Sequence, residues 1–399
     1  MHCKEAFQSI YHHEPSSVTF CPYRVCPIGA HSDHQYGKIT GFAIDKGIHI
    51  AYHPKQNGVV ELASLDFDKR AQFHAMNVPP QGQKDWADYL RGATIALGKR
   101  YPLSTGLAGV IEGSLPIGGL SSSAAVIIAF LSALCRVNGI SLPQAELIEV
   151  ALSAEKDYVG VSVGKLDQSC EVYSRKDHML YLDTKDGTFE LIQANPSMKP
   201  YEFAIFFSGV ERTLVGSKFN MRVDELKSAA YALKGYAMDD DCMDLLSVPY
   251  EKFEDTRLRD VPREIYDRYK DRLPSMWRRR AEHFYTEFER VERGADAWRR
   301  GDIEAFGKLS FESGWSSIYN YETGSDELKA LYEIMLRTDG IYGGRFSGAG
   351  FKGCCMALID PAFEDSIRAH VTSEYLKVFP ALAGKFSVHF CHTADGVNL

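Results

Sequence analysis

Along the first half of the chain, short strand-like apolar runs alternate with stretches whose apolar residues recur at helical spacing. Residues 39–52 (ITGFAIDKGIHIAY), 59–65 and 107–112 (LAGVIE) predict strands, and 86–99 (WADYLRGATIALGK) predicts a helix. A Gly/Ser loop after the third strand opens a strongly apolar helix that ends near Asn138-Gly139. A further helix is expected over 144–158 and a strand over 179–183. The chain then runs through Asp, Gly, Asn and Pro over 184–200, which places a domain crossing there, at 193/194. Beyond it, 203–207 predicts an apolar strand, and 220–233, 274–294 and 326–336 predict amphipathic helices. The C-terminal region returns to strands in IYGGRFSGAG, CCMALID and FSVHFC. Mixed elements on both sides of the crossing imply two α+β domains, 1–193 and 194–399. The charged stretch 253–280 reads as a solvated helical surface.

Composition narrows the function class. At roughly 150 residues per domain, 399 residues agree with two or three domains. The 45 Lys and Arg against 53 Asp and Glu leave a net charge of −8, which gives no support to a nucleic-acid or anionic-membrane partner. The longest apolar run, AAVIIAFLSAL at 124–134, falls short of the ~20 residues a bilayer requires. The opening MHCKEAFQ has neither an apolar signal core nor an Arg-rich transit pattern, so a cytoplasmic address is expected. Nine cysteines show no metal-like spacing and read as buried free thiols.

Four clusters carry chemistry. LPIGGLSSSAAV, Leu115 to Val126, sets two glycines and three serines between a strand and the apolar helix. Glycine allows close backbone approach, and a helix N-terminus offers free N–H groups, so the loop is suited to phosphate. A plain serine N-cap would need one serine only. No Gly-Lys-Ser/Thr follows, which excludes a Walker A loop. GAGFKG, Gly348 to Gly353, matches GxGxxG in form, but the residues after it are the β-type run CCMALI. A dinucleotide fingerprint must open a helix, so this is read instead as a loop packing beside a ligand. In the third cluster, SSVTFCPYRVCPIGAHSDHQYG, a strand-like entry leads to Arg24, His31, Asp33 and His34. HSDH lacks a third ligand at a metal spacing and reads as a polar loop lining a sugar or charged ligand. The fourth, SAEKDYVGVSVGKLDQS, puts Glu155 on a helix and Asp167 after a Gly/Val loop; alone, both would pass for surface acids.

Together these clusters resemble the galactokinase branch of the GHMP sugar-kinase superfamily over nearly the whole chain. PYRVCPIGAHSDH resembles its sugar-binding motif, LPIGGLSSSAAV its ATP-binding motif, and RFSGAGFKGCC the third motif. VGKLDQS matches the stretch that holds the catalytic aspartate, which falls on Asp167, and Glu155 lies where the family has its Mg²⁺-binding glutamate. The resemblance implies a ribosomal-S5-like N-terminal domain, a ferredoxin-like C-terminal domain, and ATP and Mg²⁺ as cofactors. It further implies Asp167 as base, with Arg24 beside it, Ser121 and Glu155 on Mg²⁺, and Gly118, Gly119, Ser122 and Ser123 along the triphosphate. Asp33 would take the sugar's ring hydroxyls, with His31 nearby.

Departures from the galactokinase pattern bear on the substrate. Galactokinases read GEH where this chain reads Gly29-Ala30-His31, and their Glu contacts the sugar's 6-hydroxyl. A Glu there would repel a carboxylate at C6; two like charges at about 4 Å cost about 4 kcal/mol at an effective dielectric of 20. PYRVCPIGAHSDHQ, GRFSGAGFKGCC and SSIYNYE (Ser316 to Glu322) resemble plant-type galacturonokinases. Phe219 stands where galactokinases place a sugar-contacting Tyr, and Lys165 where they are apolar. The expected activity is phosphorylation of the anomeric hydroxyl of D-galacturonate, a sugar acid. Galactose or another neutral aldose is the nearest alternative, and a non-catalytic sugar sensor the one from another class. Oligomeric state is not disclosed by the sequence.

Overall fold

The computed structural model describes residues 2–80, 82–161, 163–210, 216–248 and 251–398. Its strands are β1 (Ser17–Val25), β2 (Lys38–Lys55), β3 (Val59–Ser64), β4 (Ala71–His74), β5 (Gly106–Gly113) and β6 (His178–Asp183). They continue as β7 (Phe189–Gln193), β8 (Glu202–Phe207), β9 (Ile341–Phe346), β10 (Cys354–Ile359), β11 (Ser387–Cys391) and β12 (Thr393–Ala394). The chain divides into two compact units, neither of them a continuous half. Unit 1 is Met1–Arg24, Phe42–Lys176 and Thr393–Leu399; unit 2 is Val25–Gly41 and Asp177–His392. This differs from a single boundary at 193/194. The segment expected to be a linker contains β7, which pairs with β6, and the C-terminal β12 pairs with Ile44 and Ala43 of β2.

In unit 1, β2 pairs antiparallel with β5 from Ile48↔Gly113 to Lys55↔Gly106. β3 lies parallel to β5, and β4 closes that edge against β3. The helix Ser122–Val137 is buried without a break from Ile127 through Cys135. A helix apolar on all sides belongs in a core, and the helices Asp88–Gly98, Gln144–Ser153 and Leu166–Tyr173 pack around it. The expected helix 144–158 turns π-helical over Ala154–Val159. An N-terminal helix, His2–Tyr11, was not foreseen; it sets Cys3 and Phe7 against Ala51, Ala63 and Val110.

Unit 2 holds a four-stranded antiparallel sheet in the order β11-β8-β10-β9. With helices between β8 and β9 and the helix Glu364–Val378 between β10 and β11, this is the expected ferredoxin-like βαββαβ arrangement. The first connection is enlarged by the helices Gly216–Asp239, Arg263–Tyr269, Ser275–Arg300, Ile303–Tyr319 and Asp326–Met335. Phe206, Phe346, Leu331, Cys355 and Tyr375 form the core against the sheet. A second core joins Leu226, Leu233, Tyr266, Phe284 and Tyr285 from the inserted helices. The stretch 253–280 is therefore only partly a solvated surface: Leu258, Ile265, Tyr266 and Tyr269 enter this core, and Arg280 is 1% exposed. No helix among the described residues is long and apolar enough to cross a membrane.

Candidate active site

Arg24 on β1, the glycine-serine loop and Asp167 meet within unit 1. Arg24 Nε donates to Asp167 Oδ1 at 2.8 Å, and its Nη1 donates to the Gly119 carbonyl at 3.0 Å. The guanidinium is buried, whereas the Asp167 side chain keeps 24% of its surface open. Gly118 (φ +135°) and Gly119 (φ +87°) adopt the left-handed half of backbone space, where a side chain would be strained. Ser121 is held there too (φ +60°), a conformation that costs a non-glycine residue energy and gathers at functional sites. It stands at the N-cap position of the helix Ser122–Val137 without capping it. Its hydroxyl is buried and has no hydrogen-bond partner among the described residues, so the plain N-cap reading does not hold. Ser122 and Ser123 occupy the first turn, half-buried.

Glu155 lies in the π-helical turn and is 2% exposed. Gln168, the residue after Asp167, donates from Nε2 to Glu155 Oε2 at 2.5 Å. Glu155, one of the two acids that looked like surface residues, is thus held by the buried amide of the residue next to Asp167. Lys165 turns outward to Glu149, at 2.6 Å, with both side chains well exposed.

In unit 2 the residues from Gly29 to His34 form a tight turn. A Cβ on Gly29 (φ +106°) would fall 2.6 Å from Ile39 Cα, so glycine is required. The Gly29 N–H donates to Glu287 Oε1 at 2.6 Å. His283 Nε2 lies 3.1 Å from the Ala30 carbonyl, which can only accept, so the proton sits on Nε2 and Nδ1 accepts from Ser316 Oγ at 2.9 Å. The His31 ring stacks on Tyr321, with centroids 4.4 Å apart and an interplanar angle of 14°. Asp33, half-buried, starts the 3₁₀ turn Asp33–Gln35, and its carbonyl accepts from Thr184 Oγ1 at 3.2 Å. His34 Nε2 is 3.2 Å from the Tyr321 hydroxyl, and Phe219 meets the His34 ring edge-on. Ala30, His31, Asp33 and Phe219 are therefore brought to one place, and the histidines of HSDH face aromatic partners.

The charges beneath this turn were not anticipated. Glu287 is fully buried and takes hydrogen bonds from Arg290 Nε at 2.8 Å and Ser313 Oγ at 2.5 Å, with Arg345 Nη1 at 3.7 Å. Burial alone would raise its carboxyl, but Arg290 and Arg345 outweigh that and hold it at about 2. Burial pushes His283 down to about 4, with Glu287 opposing. In sequence, the sign of this network is the recurrence of polar residues 280, 283, 287 and 290 on the face that also carries Phe284 and Val291. Gly348–Gly353 joins β9 to β10 and opens no helix, in keeping with the rejection of a dinucleotide fingerprint.

Residues 87–175, which include the serine loop, Glu155 and Asp167, match the GHMP kinases N terminal domain. Residues 295–377 match the GHMP kinases C terminal domain, and 5–54, spanning Arg24 to Asp33, match the galactokinase galactose-binding signature. The chain is 36% identical to a galacturonokinase of Arabidopsis thaliana, covering 96% of this chain and 93% of that protein. The chain belongs to the GHMP kinases, on the galactokinase branch. It is also 30% identical to a galactokinase of Roseiflexus sp. (strain RS-1) over 99% of this chain and 96% of that one. The structure of Lactococcus lactis galactokinase complexed with galactose superposes with a TM-score of 0.87 at 26% identity, covering 99% of this chain and 98% of that one. This GHMP kinase is accordingly a sugar-1-kinase of galactokinase/galacturonokinase type, with the two-domain fold of its family.

Proposed function

We propose that this kinase transfers the γ-phosphoryl group of ATP to the anomeric hydroxyl of D-galacturonate, giving galacturonate 1-phosphate and ADP. Asp167 takes the proton of the C1 hydroxyl as the new O–P bond forms and the bond to the β-phosphate oxygen breaks. Arg24 fixes that carboxylate and opposes charge on the transferring group. Gly118, Gly119, Ser122 and Ser123 line the triphosphate. The buried, unpartnered Ser121 hydroxyl and the buried Glu155 carboxylate suit a divalent cation, so these two would hold Mg²⁺. Mg²⁺ would neutralise phosphate charge. Asp33 accepts hydrogen bonds from ring hydroxyls, with His31 beside it.

The observation that carries the galacturonate reading is Ala30. Its carbonyl is pinned by His283 and its neighbour Gly29 by Glu287, so the turn is rigidly placed and presents a methyl group. A sugar acid meets no carboxylate from that position, and the Ala30 side chain offers galactose no acceptor for its 6-hydroxyl. The likeness to a galacturonokinase supports the same reading. The experiment is a coupled ADP-release assay over galacturonate, glucuronate, galactose and N-acetylgalactosamine. Galacturonate should give the highest kcat/KM; a higher value for galactose would reject the substrate.

A further inference from the structure

The helix Leu166–Tyr173 carries a second carboxyl four residues after Asp167. That spacing puts Glu171 and Asp167 on one face of the helix, a turn apart. Glu171 is 0% exposed, and neither of its carboxyl oxygens has a hydrogen-bond partner among the described residues. The groups acting on it are Asp167 on its own helix, Arg24, Tyr23 and Cys21 on β1, and Glu155 in the π-helical turn. Of these only Arg24 is a cation, and its guanidinium already serves Asp167 and the Gly119 carbonyl. A buried carboxylate without a donor, beside a second carboxylate, is a poor place for charge.

We propose that Glu171 is a positioning residue: Asp167 and Glu171 share a single negative charge, Arg24 places it on Asp167, and Glu171 keeps its proton. The proposal rests on Asp167 being the base. Of the two sites a turn apart, the one bonded to the Arg24 guanidinium and partly open suits the charge, and the buried one without a donor does not. Burial, then Asp167, push the Glu171 carboxyl well above the usual range, and Arg24 opposes this only in part. Once alkaline pH removes the Glu171 proton, a second anion competes for Arg24. The base loses its anchor, and negative charge gathers beside the loop assigned to the triphosphate.

The test compares pH profiles of kcat for the full-length wild type and Glu171→Gln, which stays neutral at every pH. The ratio of kcat in Glu171→Gln to wild type should rise by at least about threefold from pH 7 to the highest pH at which both remain folded. A constant ratio would overturn the proposal. So would a tenfold or greater loss in Glu171→Gln at all pH values, since an ionised Glu171 would then be needed. Asp167→Ala, run beside it, separates the two ideas: activity in that variant refutes the base assignment itself. Loss there with a constant Glu171→Gln ratio refutes only the shared charge. Should Glu171→Gln not fold, infrared spectroscopy of the wild type decides. A protonated carboxyl band should be present at pH 7 and fade at alkaline pH, and its absence at pH 7 contradicts the proposal.

Discussion

Arg24 and Asp167, 143 positions apart in sequence, meet at 2.8 Å, with the arginine buried and the carboxylate partly open. A charge-assisted bond of this kind fixes the carboxylate while leaving lone pairs free on its open side. An incoming hydroxyl can use them.

Replacing the acid removes that acceptor. Asp167→Ala should lower kcat by about 10² to 10⁴, the usual contribution of a general base, while nucleotide binding measured by titration persists. Near-normal kcat would show that another group takes the proton.

The Ser121 hydroxyl lies buried without a partner, and Glu155 is held by Gln168. Ser121→Ala and Glu155→Gln should each weaken the use of MgATP, and excess Mg²⁺ should restore part of the loss. Sugar binding without nucleotide should scarcely change. A selective fall in sugar affinity would assign these residues to the sugar instead.

His283 gives the fold a pH dependence. The native side chain stays neutral down to about 4, whereas an unfolded histidine takes up a proton below about 6.5. Between these values the unfolded state binds more protons, so stability should fall as pH drops from 6.5 to 4, by up to about 3 kcal/mol. Glu287, held at about 2, adds a further loss as pH falls from its unfolded value of about 4.5. His283→Gln should flatten the upper window in urea melts at several pH values. An unaltered pH slope in that variant would exclude His283 as its source.

Much of the fold was legible because its elements carry strong local signals. The Ser122–Val137 helix, β2, β5 and β8 lie where their apolar patterns place them. The helix Glu364–Val378 was missed because EDSIRAHVTSEYLKV buries only Ile367, Val371 and Tyr375. β7, with one buried residue in five, resembled a linker for the same reason. The site was legible as motifs, since loops that bind ligands concentrate glycine, serine and charge. Its support was not. Glu287, Arg345 and Arg280 are charged residues that sequence reasoning assigns to solvent, and their burial is made tolerable by partners distant in the chain, joined for Glu287 by Arg290 one turn away. Glu171 escaped notice likewise, because nothing local shows that its helix face points inward.

The substrate is tested most directly by one ratio: kcat/KM for galacturonate over kcat/KM for galactose, measured in the wild type and in Ala30→Glu. The new carboxylate would stand beside that of the sugar acid. A repulsion of even 1.4 kcal/mol, well below the ~4 kcal/mol expected at contact, is a factor of ten. The ratio should therefore fall by at least about tenfold in Ala30→Glu, with part of the loss recovered at high salt. Galactose should lose less, or gain, because the glutamate can accept a hydrogen bond from its 6-hydroxyl. A ratio equal in the two proteins would mean that position 30 does not face C6, and would contradict the account of how this kinase selects a sugar acid.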